Sequence, residues 1–244
     1  MNDTTRTGPP AGYHGAYLKV DVSSGTGERV ELPDEVLRQF LGGTGLGTWL
    51  MLSLGAPSLD PLSPEAPIAF VFSPLVGSPL TTSAKFAVVS RSPLTGRLND
   101  SLASSAFALA GKRTGHDAIV ISGRASEPSI LVIDEGQVDV QPAGELWGMA
   151  IEESGRYLGA SQPQGSQAVV IGPAGENLVH YATISHDGRH AGRGGERGSA
   201  GSQEHQGGRG AGEQAQSLGA SRAACGAGTR PLGTVAGAGH GKVP

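Results

Sequence analysis

Residues 118–140 read AIVISGRASEPSILVIDEGQVDV: two apolar runs at 118–121 and 130–133, the turn Asp134-Glu135-Gly136, and valines alternating with polar residues at 138 and 140. Short apolar runs bounded by turn residues are strands, and the two that flank Gly136 form a hairpin. The same pattern extends outward in both directions. Residues 68–72 (IAFVF) lie between prolines, and residues 86–89 (FAVV) lie between Lys85 and the turn Ser92-Pro93-Leu94-Thr95-Gly96, so both fit buried strands. Residues 17–22 and 28–32 alternate around Ser23-Ser24-Gly25 as a second hairpin, and residues 168–171 and 178–183 supply the last strands.

Helical spacing is confined to short segments. Val36, Leu37, Phe40 and Leu41 follow the capping candidate Asp34, and Leu46, Trp49, Leu50 and Leu54 share a face over residues 45–54, broken off by Pro57, Pro61 and Pro64. Leu102, Ala106, Leu109 and Ala110 predict a helix over 101–113, with Asp100 or Ser101 as cap and Gly115 as its stop; a fourth helix is predicted over 150–158. Strands come in runs rather than in alternation with helices, so the fold class is α+β: a β-rich domain of two sheets with a few short helices.

Composition narrows the function. The 244 residues carry 18 Lys plus Arg against 22 Asp plus Glu, a net charge of −4, which gives no electrostatic reason to expect nucleic acid or an anionic membrane as partner. One cysteine excludes an internal disulfide framework and cannot supply the thiolates of a structural zinc site or an iron–sulfur cluster. No run reaches the roughly 18 apolar residues of a membrane span. Residues 1–13 lack the apolar core of a secretory signal, so the cytoplasm is the expected location and residues 1–12 are expected to be a disordered lead.

The chain has two compositions. Of its 40 glycines, 16 fall in residues 191–244, and residues 196–244 contain no Phe, Tyr, Trp, Ile, Met or Asp. Such a segment buries too little apolar surface to offset its ordering entropy, and a disordered, low-complexity tail is expected there. A sharper account is a frameshift near Gly195. Residues 201–209, GSQEHQGGR, can be encoded so that a shift of one nucleotide reads Gly-Ala-Lys-Asn-Ile-Lys-Ala-Val, which ends as a buried strand would.

Three stretches invite a chemical reading. Gly42-Gly43-Thr44-Gly45-Leu46-Gly47 resembles a nucleotide loop, but it follows a helical pattern instead of a strand and no Walker lysine follows it. It reads either as a helix-to-helix turn using positive φ or as a close backbone approach to a cofactor. In the stretch from Ser185 to Gly195, Arg189 and Arg193 stand four apart among glycines, which suits either an anion held by guanidinium forks and bare N–H groups or a solvated basic loop. Lys85 to Ser105 brings small hydroxyl residues to a helix start, for an anionic ligand or for ordinary capping. His14, His116 and His180 lack metal-ligand spacing, and no Ser/His/Asp constellation or paired carboxylates stand out.

Taken in order, residues 15–22, FLGGTGLG at 40–47, DPLSPEAP at 60–67, VSRSPLTG at 89–96, GHDAIVISG at 115–123, LWG at 146–148, IGPAGENLV at 171–179 and GRHAGRGG at 188–195 resemble one family. It is the N-terminal domain of the tungsten-dependent aldehyde:ferredoxin oxidoreductases, and the resemblance covers residues 13–195. It implies an α+β unit of two sheets that forms the base for a bis-pterin cofactor of tungsten (or molybdenum) with a bridging magnesium. By position Lys85 is similar to an arginine that contacts pterin phosphate, and Arg189 and Arg193 match arginines of a second binding loop, beside Gly192. Leu102 stands where the family often has asparagine, Ser104 where it often has glycine, and His190 where it has alanine. The magnesium is held partly by backbone carbonyls at the positions of Leu102 and His190. Lysine at 85 keeps the charge but loses bidentate geometry.

The resemblance further implies oxidation of aldehydes to carboxylic acids, with electrons passing through a four-iron four-sulfur cluster to ferredoxin. It places the cluster cysteines in two later helical domains beyond the matching stretch, so this chain alone is expected to be inactive. A homo-oligomer is compatible with it. A noncatalytic pterin- or phosphate-binding module and a nonfunctional gene fragment are the alternatives. In the family GRGG is followed by a phrase like the shifted one, which supports the frameshift separately. Sequencing the parent gene is expected to show a downstream frame that continues as a large enzyme one nucleotide out of register; a frame that does not continue refutes the frameshift.

Overall fold

The computed structural model describes residues 8–192 and the backbone of Arg222–Gly226. Its main sheet has six strands in the order β2-β1-β6-β3-β4-β5. The hairpin β1 (Ala16–Asp21) and β2 (Thr26–Glu31) forms one side, and β6 (Ala118–Ser122) runs parallel to β1. Antiparallel β3 (Ile68–Phe72), β4 (Lys85–Arg91) and β5 (Leu98–Ser104) complete it. Strand β3 is buried at every residue, as a central strand covered on both faces must be.

One cover is helical. Helices α1 (Asp34–Phe40) and α2 (Gly43–Ser53) follow the hairpin, and Leu46, Leu50 and Met51 of α2 pack on Ala69, Val71, Ala87 and Val89. A Cβ on Gly47 would stand 2.5 Å from Val89 Cγ2, so glycine sets how closely α2 lies on the sheet. Only the start of the glycine run serves the helix-to-helix turn, Leu41 at φ 45° and Gly42 at φ 70°, and from Gly43 onward the run lies inside α2.

The other cover combines α3 (Ala106–Arg113) with a second sheet. That sheet has the order β8-β7-β12-β9, built from β7 (Ser129–Asp134), β8 (Gln137–Pro142), β9 (Gln167–Ala168) and β12 (Arg222–Gly226). Phe107 of α3 meets Phe86 at 5.1 Å and Phe70 at 5.8 Å edge-on, and Leu131 and Ile133 join the same core. Helices α4 (Ile151–Ser161) and α5 (Pro173–Glu176) and the two-stranded ribbon β10 (Ile184–His186) and β11 (Arg189–Ala191) complete the described part. The architecture is mixed α and β, with sheets and short helices as expected. Within the stretch read as a disordered tail, the backbone of Arg222–Gly226 runs as β12; the rest of 193–244, with the frameshift junction at Gly195, lies outside the described residues, as do residues 1–7.

Three expectations are corrected. Of residues 168–171, read as a strand, only Ala168 belongs to one, the two-residue β9, while Val170 forms an isolated bridge to Ser185. Residues 98–104 form a strand where a helix was read from 101: Ser101 and Ala103 are buried while Leu102 between them is 64% exposed, a period of two imposed by pairing with β4. The helix begins only after Ser105, whose Oγ accepts the Phe107 N–H at 3.2 Å. Residues 178–183 form turns rather than a strand. Leu178 sits at φ 53°, and the N–H groups of Leu178, Val179 and Ala182 bond locally to Gly175, Ala174 and Val179.

Asp117 ties these parts together. It is 0% exposed, accepts the N–H groups of His14 at 3.0 Å and Gly15 at 2.8 Å, and pairs with Lys112 Nζ at 2.5 Å. A buried carboxylate is tolerated only when its lone pairs are filled in this way. Asp117→Ala is expected to lower stability by about 3–5 kcal/mol, because it strands the Lys112 ammonium and two N–H groups. Urea denaturation of Asp117→Ala, of Lys112→Met and of the two combined checks this, the double variant losing less than the sum of the two singles.

Candidate functional site

The strand directions bring six termini to one end of the main sheet: β1, β4 and β6 start there, and β2, β3 and β5 finish there. Lys85, the first residue of β4, therefore stands opposite Ser104, the last of β5. Beside the free edge of β5 lies the β10–β11 ribbon. Its turn is Asp187-Gly188, at φ 44° and 68°, the positive values that a two-residue hairpin with native twist requires.

Hydrogen bonds to β5 and to the start of α3 hold the ribbon against the sheet edge. The Gly192 N–H donates to Ser101 Oγ at 3.0 Å, Arg189 Nη1 donates to the Ser104 carbonyl at 3.3 Å, and the Ala106 N–H at the start of α3 donates to Asp187 Oδ2 at 3.1 Å. Between edge and ribbon is a cleft of about 290 Å³ lined by Lys85, Leu102, Ala103, Ser104, His186, Arg189 and His190. Five of the residues singled out from sequence, Lys85, Leu102, Ser104, Arg189 and His190, thus share one concave face. Gly192 adjoins it through Ser101; Arg193 lies outside the described residues.

The ladders also orient the backbone. The Lys85 carbonyl accepts the Ser73 N–H on the β3 side, so by alternation Ala87 also faces β3, and its partner Leu102 turns its polar groups outward from the edge. Ser185 exchanges both its backbone bonds with Val170, at 2.8 Å each, so its partner His190 likewise turns N–H and C=O away from β10. Both carbonyls are thereby left to the edges of their strands. Among the described residues no cluster of three or more His, Cys, Asp or Glu side chains could hold a metal ion. Cations at Lys85 and Arg189 with outward carbonyls nearby suit an anionic ligand and a hard cation bridging it.

His186 was missed in the sequence. It is 2% exposed, its ring meets Phe86 edge-on at 5.1 Å, and neither ring nitrogen has a partner. The signal was present: Asp187-Gly188 between alternating residues is a strong short-range hairpin pattern. Burial pushes its imidazole below the usual 6.5, reinforced by Arg189 and His190 and opposed by Asp187. Burial is also the leading cause of the lowered values of His14 and His116, where the charges of Lys112 and Arg29 respectively add to it. The unfolded chain takes up these protons first, so stability is full above about pH 6.5 and falls as the solution is acidified. The thermal midpoint is expected to drop between pH 7 and 5, and His186→Phe is expected to flatten that curve by at most about one proton.

Comparison with known proteins is consistent along the chain. The model of the family described as aldehyde ferredoxin oxidoreductase, N-terminal domain, matches residues 17–204. The tungsten-containing aldehyde ferredoxin oxidoreductase of Pyrococcus furiosus is 36% identical over 188 residues, covering 75% of this chain and 31% of the relative. An aliphatic sulfonate oxidoreductase, WOR-like subunit, of the same organism is 32% identical over 190 residues, covering 70% of this chain and 30% of the relative. Among solved structures, the active site complex BamBC of benzoyl coenzyme A reductase with 1,5 dienoyl-CoA superposes with a TM-score of 0.77 at 27% identity, over 88% of this chain and 31% of that one. The chain spans about a third of the length of the relatives it matches.

Proposed function

The chain belongs to the aldehyde ferredoxin oxidoreductase family through its N-terminal domain, and from that premise we propose that residues 13–195 are the base on which a tungsten (or molybdenum) bis-pterin is anchored. The observation that carries this reading is the single cleft shared by Lys85 and Arg189, with the carbonyls of Leu102 and His190 turned outward from the strands beside it. When bound, the cofactor supplies the two-electron oxidation of an aldehyde and water to a carboxylic acid, its electrons leaving singly through a four-iron four-sulfur cluster to ferredoxin.

This chain's own residues do the anchoring. Lys85 meets a phosphate as a point charge, and Arg189, steadied by its bond to the Ser104 carbonyl, meets another as a planar donor. The outward carbonyls of Leu102 and His190 would hold a magnesium accompanying the cofactor's phosphates, a role that would survive the changed side chains because it uses backbone oxygen. Ser104 lines the cleft and Gly192 adjoins it through its bond to Ser101, and Arg193, next in the sequence, adds a further positive charge. No residue of this domain is assigned a proton transfer.

The relatives' names differ in substrate, from aldehyde to aliphatic sulfonate, which agrees with a shared base and with substrate choice made elsewhere in the longer proteins. The isolated chain therefore anchors cofactor without turning over, and the cytoplasm is its place of action; among the described residues no helix is long and apolar enough to cross a membrane. The composition break after Gly195 favours a second reading, a remnant of a disrupted gene.

Elemental analysis separates the two. Chain purified after expression with tungstate and molybdate in excess is expected to carry metal and pterin, and metal-free chain supports the remnant. Lys85→Ala and Arg189→Ala are each expected to weaken binding of inorganic pyrophosphate by roughly 10- to 100-fold, the loss of a charge-assisted hydrogen bond. Unchanged affinity in both variants, or aldehyde oxidation by this chain without a partner, would overturn the anchoring role.

A further inference from the structure

The main sheet has two edges, and they are treated differently. At β5 the ribbon lies alongside, whereas the outer side of β2 pairs with no other described strand. The Leu32 N–H donates to the Gly15 carbonyl at 2.7 Å, so by alternation Val30, Glu28 and Thr26 turn their backbone groups to β1. Gly27, Arg29 and Glu31 turn theirs outward, and all three residues are exposed. The strand keeps an unbroken register over six residues and has no proline, lysine or bulge, the devices that commonly blunt an edge.

Charge on an edge ordinarily discourages strand addition, and here the order of the charges selects the partner. Two copies of one strand, antiparallel about a two-fold axis, present the same sequence to each other. Outward residues must meet outward residues, so the axis passes through a residue. An axis at Glu28 or Glu31 sets carboxylate against carboxylate, one at Arg29 sets guanidinium against guanidinium, and one nearer the turn leaves little of either strand overlapping. An axis at Val30 sets Arg29 opposite the second copy's Glu31 and Glu31 opposite its Arg29, with the two valines meeting between them. Unlike charges directly opposite stabilise a strand pair, and like charges destabilise it. Val30 already packs against the core cluster that holds Tyr17, Leu32 and Leu37, so its contact across the axis continues an apolar layer. Arg29 is fixed in position: Nη1 and Nη2 donate to the Gly115 and His14 carbonyls at 2.9 and 3.2 Å, and Nε donates to Glu31 Oε1 at 3.0 Å.

We propose that β2 is a self-association surface, through which two copies of this chain join their main sheets edge to edge, antiparallel about an axis at Val30. The surface is independent of the cofactor reading, since Lys85 and Arg189 lie by β5 on the other side of the sheet.

Sedimentation of the full chain from micromolar to near-millimolar concentration tests it, because a contact this small makes a weak dimer. The mass is expected to rise to twice that of the monomer. Arg29→Glu and Glu31→Arg each set like charges opposite, and each variant alone is expected to stay monomeric. Mixed in equal amounts, the two are expected to form a heterodimer, because every pair again joins unlike charges; the chain carrying both exchanges is expected to dimerise like the parent. Glu31→Pro, which removes an outward N–H and spares the ladder to β1, is expected to weaken the dimer at least tenfold. In the parent chain the Arg29 and Glu31 amides are expected to exchange with solvent more slowly as concentration rises, a readout that needs no variant to fold. A parent chain that stays monomeric throughout, a dimer that persists in both single variants, or single variants that stay apart when mixed overturns the assignment. None of these outcomes bears on pyrophosphate binding at Lys85.

Discussion

A single buried carboxylate governs the geometry of the sheet end. Asp117 sits where β6 begins, and its contacts fix the chain entering β1 and the last turn of α3. Charge that is out of water cannot tolerate loose partners, so these three segments are held to within a hydrogen bond of one another. Helix α3 in turn begins one residue beyond β5, and its first N–H groups meet Ser105 and Asp187. The placement of the β10–β11 ribbon, and with it Arg189, is thereby transmitted from a charge that never touches the cleft.

The strands of the core were readable because the residues that make them see only one environment. Residues 68–72 and 118–121 are apolar throughout since both faces of their strands are covered. Residues 98–104 were not readable, because an edge strand next to solvent carries polar and small residues that fit a helix start equally well. Only the ladder with β4 distinguishes the two. The ribbon failed for a different reason: three residues a side is too short for periodicity to register, although its Asp-Gly turn was visible. Of the candidate site, Lys85 and Arg189 could be singled out from the resemblance, and the structure sets them on one cleft. His186 was not, since its place depends on Phe86, a residue a hundred positions away.

The comparisons add a division of labour. Relatives that match over about 30% of their length carry different substrate names, while the fold of this portion persists at a TM-score of 0.77. On the proposed anchoring role, a base that grips phosphate through two cations and backbone oxygen puts no demand on the substrate. Variation at Leu102 and His190 is then tolerable, because the side chains change and the peptide groups do not.

The parallel ladder between β1 and β6 joins Tyr17 to Ala118. During synthesis the first hairpin therefore waits, one flank bare, until about a hundred further residues have left the ribosome, on the order of five to twenty seconds at ordinary elongation rates. Through that interval the Leu18 and Val20 side chains have no permanent neighbours from β6, and the strand is open to any other extended peptide.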